Sequence, residues 1–255
     1  MAWKNAALQF ARECEFAEDI EAVLVTGSYA VGNHDEFSDV DVYLVLSDGV
    51  DWRERGNKRV GGYLIEYFAN PEKQIRHEMQ QYGSPITTML KTAVILEDKT
   101  GVMQRLLKLC ENKIEHEPMS ENDLKMSMYY LWDFMDELER AAKTESPGFF
   151  IVYFTALEKA TVLYSRFLDA QIPYITHMYR WLSSADFRGK YGLPDFPDTE
   201  FTEKLIACYH AVSLGEKYTC IRQVYAHIEK AIGGFDIDGF KSRIPCTVMR
   251  EQNEN

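Results

Sequence analysis

Apolar residues open the chain at the spacing of a helix. Trp3, Ala7, Phe10, Ala11, Cys14 and Phe16 fall on one face and predict an amphipathic helix over about residues 3–18. The period then shortens. Residues 22–26 form an apolar run that ends at Gly27-Ser28, and a polar connection leads into a second run that begins Asp39-Val40-Asp41-Val42 and continues to Leu46. Residues 62–68, GYLIEYF, read as a further strand. Between Leu46 and Val60 the Asp-Gly and Gly-Asn pairs of SDGVDWRERGNKR signal turns, so this stretch is expected to be a long hairpin joining two antiparallel neighbours. Pro71 suits the first turn of a helix capped by Asn70 and running to about Gln81. Residues 92–96 read as a short strand. A helix over 102–111 follows the acidic turn that ends at Gly101.

After Glu117-Pro118 no strand pattern remains. Ser120 with Asp123 caps a helix to about Lys143, and Ser146-Pro147 opens another to about Asp169. A shorter helix follows Pro173, over 175–183, and the loop GKYGLPDFPD leads to a helix over 200–212. Leu214-Gly215 breaks the pattern before a last helix that Gly233-Gly234 closes. The final twenty residues are expected to be a loosely ordered tail. The expected fold class is therefore α+β. A domain with a mixed β-sheet covers 1–116, and an α-helical bundle domain with its C-terminal tail covers 117–255.

Composition narrows the function classes. A net charge of −12 disfavours a protein that grips nucleic acid, because phosphate binding needs concentrated basic surface. It leaves room for cationic small molecules. The five cysteines (Cys14, Cys110, Cys208, Cys220, Cys246) are scattered with no C-x-x-C pair, which argues against disulfides or a thiolate zinc site. Arg12, Glu13 and Glu15 interrupt the first segment too early for a signal sequence, and no apolar run approaches a membrane span. A cytoplasmic protein without membrane partners is expected.

The chemistry concentrates in the second strand. Side chains alternate along a strand, so Asp39 and Asp41 share a face while Val40 and Val42 turn to the core. Two adjacent carboxylates repel unless a cation lies between them, and Mg²⁺, with its preference for carboxylate and phosphate oxygen, suits the pair. Glu66, the one acid among apolar neighbours on the next strand, would supply a third ligand for a two-metal site. A solvated strand edge would explain the same acids without a metal. Other motifs fail. The Asp39 stretch lacks the glycine and closing glutamate of an EF-hand, His77-Glu78 lacks the second histidine of a zinc protease, and Gly56 and Lys58 are split by Asn57. Arg53, Arg55, Lys58 and Arg59 could reach a phosphate or simply solvate a hairpin tip.

An apolar strand, Gly27-Ser28, a spacer of about ten residues, Asp39-x-Asp41 and a later acid on a neighbouring strand together resemble the nucleotidyltransferase superfamily. That superfamily includes DNA polymerase beta and the kanamycin and lincosamide nucleotidyltransferases. Ser38-Asp39-Val40-Asp41 and Tyr29-Ala30-Val31-Gly32 share the likeness, which covers roughly the first hundred residues. The layout of such a domain followed by helices is similar to that of the antibiotic-modifying members. The resemblance implies transfer of a nucleoside monophosphate from a nucleoside triphosphate, ATP in the first instance, to a hydroxyl of a small molecule such as an aminoglycoside-like or lincosamide-like antibiotic. It implies two Mg²⁺ ions on Asp39, Asp41 and Glu66, with Gly27, Ser28 and Ser38 at the nucleotide, and it admits a homodimer. A protein-AMPylating enzyme and a non-catalytic nucleotide-binding module are the alternatives.

Overall fold

The computed structural model describes residues 1–112, 116–173 and 175–243. Within these the chain divides into two compact units. The first comprises 1–117 and 169–197, the second 118–168 and 198–255.

The first unit is built on a five-stranded mixed sheet. The helix α1 (Ala2–Glu13) precedes β1 (Ile20–Val25), and α2 (Gly27–Ala30) follows it. Then come β2 (Val40–Leu46), β3 (Glu54–Val60), β4 (Tyr63–Pro71), α3 (Glu72–Met79), α4 (Ile86–Thr92), β5 (Val94–Asp98) and α5 (Val102–Cys110). The strand order is β3-β4-β2-β1-β5. The central strands β1 and β2 are buried almost throughout. They contribute to two cores. Val23, Val25, Val40, Val42 and Leu44 pack with Trp3, Ala7 and Phe10 of α1. Leu24, Tyr43 and Val45 pack on the other face with Ile75, Leu90 and Leu106 of α3, α4 and α5. Burying each such aliphatic side chain contributes about 1.5–3 kcal/mol, so these opposed cores fix the position of the strand ends.

The expected long hairpin between two antiparallel acidic strands is corrected. Residues 54–60 are themselves a strand, paired antiparallel with β4, and β4 lies parallel to β2. The turn is Gly61-Gly62, both with positive φ (57° and 88°), as a two-residue hairpin requires. The strand β3 occupies the edge of the sheet and is exposed along most of its length. It therefore carries the charged residues that protect an edge rather than an alternating pattern. The capping role expected of Asn70 is corrected too. Its side chain is buried, with Nδ2 donating to Tyr43 Oη at 2.9 Å. The Lys73 N–H in the first turn of α3 instead donates to Asp48 Oδ1 at 2.6 Å.

The segment 169–197 belongs with the first unit rather than with the helices on either side of it in sequence. It contains a 3-10 turn (Ile175–His177), α8 (Met178–Ser183) and α9 (Ala185–Tyr191). Gly189 and Lys190, expected in a loop, are helical. Ser184 accepts the Phe187 N–H at 3.2 Å and Gly192 closes α9 in the left-handed region.

The second unit is helical among its described residues, with α6 (Glu121–Lys143), α7 (Phe149–Phe167), α10 (Thr199–His210) and α11 (Leu214–Ala231). The Ser120 cap of α6 is present, accepting the Asp123 N–H at 3.1 Å. A capping box at Ser213 and Glu216 starts α11. Phe149 and Tyr153 of α7 are core residues, whereas Phe150 and Phe154 are exposed. Part of the expected tail packs on α6, where Phe240 stacks on Tyr129 at 4.6 Å. Residues 244–255, including Cys246, lie outside the described residues. The other four cysteines are free thiols. No helix among the described residues is long and apolar enough to cross a membrane.

Candidate active site

Three of the predicted residues converge at one end of the sheet. Asp39 immediately precedes β2, Asp41 is its second residue, and Glu66 on β4 is the register partner of Asp41. Paired residues of parallel strands project to the same face, so the parallel arrangement brings Glu66 beside the aspartates. One carboxylate oxygen from each lies within 4.8 Å of the others. All three residues are partly exposed.

The β1 strand supplies the other wall. The Thr26 N–H donates to the Asp41 carbonyl at 2.9 Å, which holds the end of β1 beside Asp41. Gly27 follows with φ +63°, and a Cβ there would stand 2.0 Å from Asp41 Oδ2. Two independent constraints thus require glycine: the backbone conformation and the room taken by the carboxylate. Ser28 follows in α2, and its carbonyl accepts the Asn33 N–H at 2.8 Å. Tyr29 stacks on His34 with ring centroids 4.1 Å apart, tying the connecting loop back on itself. Ser38 is directed elsewhere. Its hydroxyl donates to Asp35 Oδ1 and accepts the Asp35 N–H, both at 3.0 Å, so it serves the loop before Asp39.

Electrostatics mark Asp41. Burial first, then the Asp39 and Glu66 carboxylates, oppose its charge and push its pKa up to about 7, against a smaller pull from Arg55. A carboxyl so placed takes up a proton or a cation. The all-oxygen donor set, the mutual spacing and the glycine that leaves Asp41 uncovered fit a hard divalent ion such as Mg²⁺.

A cavity of about 690 Å³ opens on Gly27 and Asp41 within the first unit. Tyr43 and Asn70 contribute from the sheet, Met89 from α4, and His177, Phe187 and Tyr191 from the 169–197 segment. Sequence reasoning missed this last group because those residues read as part of the bundle. Burial, then the nearby Arg180, lowers the pKa of His177, which favours its neutral form. The basic cluster also resolves. Arg53 pairs with Glu78 at 3.1 Å and Arg55 with Glu66 at 2.6 Å.

Residues 8–87 match the family model described as the nucleotidyltransferase domain, and the chain thus carries such a domain at the site just described. The match supports nucleotidyl transfer in general. No curated protein matches the chain. Among solved structures, it is similar to a nucleotidyltransferase-like protein from Exiguobacterium sibiricum 255-15. The TM-score is 0.44 at 10% identity, over 90% of this chain and 74% of that one.

Proposed function

We propose that the protein is a Mg²⁺-dependent nucleotidyltransferase that moves a nucleoside monophosphate from a nucleoside triphosphate, ATP in the first instance, to a hydroxyl of a small molecule. The observation that carries this reading is the meeting of Asp39, Asp41 and Glu66, with oxygens within 4.8 Å, against the bare Gly27 of a nucleotidyltransferase domain. In the reaction the acceptor oxygen forms a bond to the α-phosphorus while the bond from that phosphorus to the α–β bridging oxygen breaks. Pyrophosphate leaves and the hydroxyl proton is released.

Asp39, Asp41 and Glu66 would hold the divalent ions, which supply neutralisation of charge on the phosphoryl oxygens and on the entering and leaving oxygens. The chain's residues perform the rest. Gly27 keeps the space beside Asp41 Oδ2 open, so that substrate and carboxylate can approach without a side chain between them. Burial first, then the charges of Asp39 and Glu66, push the pKa of Asp41 up to about 7, so that near neutral pH a cation competes with a proton for its carboxylate. The cavity gives the rest of a bound substrate a partly enclosed position beside these groups and excludes water from one side. Aminoglycoside-like and lincosamide-like compounds are the first acceptors to try, and a cytoplasmic homodimer is the accompanying proposal.

The test follows label from each α-³²P nucleoside triphosphate with Mg²⁺ and a deproteinised cell extract, beside Asp41→Asn. Label entering a small molecule only with the wild type supports the reading. Label that appears on protein instead moves the assignment to protein modification. Binding of nucleotide without transfer from either extract or protein fraction overturns the enzyme reading in favour of a binding module.

A further inference from the structure

Arg55 stands on the edge strand β3 with its guanidinium turned toward the acidic cluster. Its Nη2 lies 2.6 Å from Glu66 Oε1. The guanidinium also lies over the ring of Phe68, 4.7 Å from its centroid, and Phe68 is its register partner on β4. The Arg55 side chain is 67% exposed, against 20% for Glu66. It lines the same cavity as Gly27 and Asp41.

We propose that Arg55 is a tethered counter-ion with two positions. It neutralises Glu66 while the carboxylates hold no divalent ion. It transfers to a phosphate of the nucleoside triphosphate once an ion has taken Glu66. The inference rests on the nucleotidyl-transfer reading of this site and adds to it a residue that couples metal binding to nucleotide binding.

Three carboxylates this close are unfavourable without a cation, and among the described groups Arg55 is the cation in direct contact with one of them. An exposed ion pair has little net strength in water, so a divalent ion held by three carboxylates displaces it readily. The displaced guanidinium keeps its stem on β3 and its ring partner Phe68, so it remains at the cavity. A guanidinium fork there matches two phosphate oxygens at once, which a lysine ammonium does not. Arg53 also lines the cavity, but it pairs with Glu78 at 3.1 Å and not with one of the three acids. The metal and Glu66–Arg55 contacts therefore exclude each other, while metal and nucleotide favour each other.

The experiment measures Mn²⁺ binding without nucleotide by electron paramagnetic resonance, in wild type, Arg55→Ala, Arg55→Lys and Asp41→Asn. Affinity for the non-reacting analogue αβ-methylene-ATP is then measured by calorimetry with Mg²⁺. Removing the competing charge should tighten Mn²⁺ binding about tenfold in Arg55→Ala and weaken the analogue about tenfold. Arg55→Lys should bind Mn²⁺ nearly as the wild type does yet fail to restore the analogue fully. A purely structural role for Arg55 would not move the two affinities in opposite directions. Mn²⁺ binding unchanged or weaker in Arg55→Ala, or an unchanged affinity for the analogue, overturns the inference while leaving the metal site standing. Mn²⁺ binding that Asp41→Asn leaves intact overturns the metal site itself. Should Arg55→Ala fail to fold, Arg55→Gln carries the same expectations with a side chain closer in size.

Discussion

Asp41 sits where burial and the Asp39 and Glu66 carboxylates all oppose its charge, and its pKa rises to about 7 from an ordinary 3.8. The sign of the stability effect follows from the folded form binding the proton more tightly than the unfolded chain. Below pH 3.8 both states are protonated. Between 3.8 and about 7 only the folded state is, so stability falls as pH rises, and above that it levels off. In the metal-free protein Asp41→Asn should therefore be more stable than wild type at pH 8, by up to about 4 kcal/mol, with the difference shrinking toward pH 4. Thermal melts in chelator across that range measure it, and a constant difference would refute the assignment to Asp41. Gly27→Ala belongs to the same scale. Its Cβ would need the space of Asp41 Oδ2 and a backbone conformation that costs about 1–2 kcal/mol for a non-glycine residue. A lower melting temperature and a loss of at least about tenfold in metal affinity are expected, since the carboxylate must move. Metal titration and melting of the same variant check both.

At the scale of elements, α10 shows how the second unit anchors a helix end. Asp198 accepts the Phe201 N–H at 2.8 Å, the Tyr164 hydroxyl at 2.6 Å, and lies 2.7 Å from His227 Nε2. Burial alone would raise its pKa, but these hydrogen bonds outweigh burial and draw it down to about 2. Its contribution is full above pH 3.8 and is lost as pH falls toward about 2, about 2 kcal/mol over that interval. Asp198→Ala should cost about 2 kcal/mol at pH 7 and remove this part of the acid sensitivity, whereas Asp198→Asn, still able to cap, should cost less. Urea denaturation at pH 7 and pH 3 distinguishes the three. Such caps are local and visible beforehand, as at Ser120. The sequence pattern predicts no helix at α4. Its sequence, ITTMLKT, is rich in β-branched residues of low helix propensity, and it is held by Ile86 and Leu90 in the core beneath it. The strand β3 likewise falls where the sequence pattern predicts turns, because an edge strand open on both sides needs no alternating pattern.

At the scale of the whole molecule, the chain leaves its first unit, enters the second at α6 and α7, returns for 169–197, and leaves again. The returning α9 packs on α4, with Phe187 buried and touching the rings of His177 and Tyr191. Phe187→Ala should destabilise the first unit by about 3 kcal/mol through the cavity it leaves. Amide exchange should accelerate over residues 86–92 and 175–191, and an effect confined to 118–168 would contradict the assignment of this segment.

The sequence by itself determined those features that depend on near neighbours. The strand into Asp39-x-Asp41, the break at Gly27, the cap at Ser120 and the long helical periods are all written within one or two turns of chain, and the α+β class follows from them. The candidate acids were legible for the same reason: an alternating strand states which face each side chain takes. Only the tertiary structure decided what long-range pairing controls. It made β4 the parallel neighbour of β2, which sets Glu66 against Asp41 in register, turned Ser38 to its own loop, and placed Arg55 on Glu66. It also brought His177, Phe187 and Tyr191 to the cavity from a segment that reads as bundle. Local pattern records which face of an element is buried but not against what. The partner is chosen by burial summed over the whole chain.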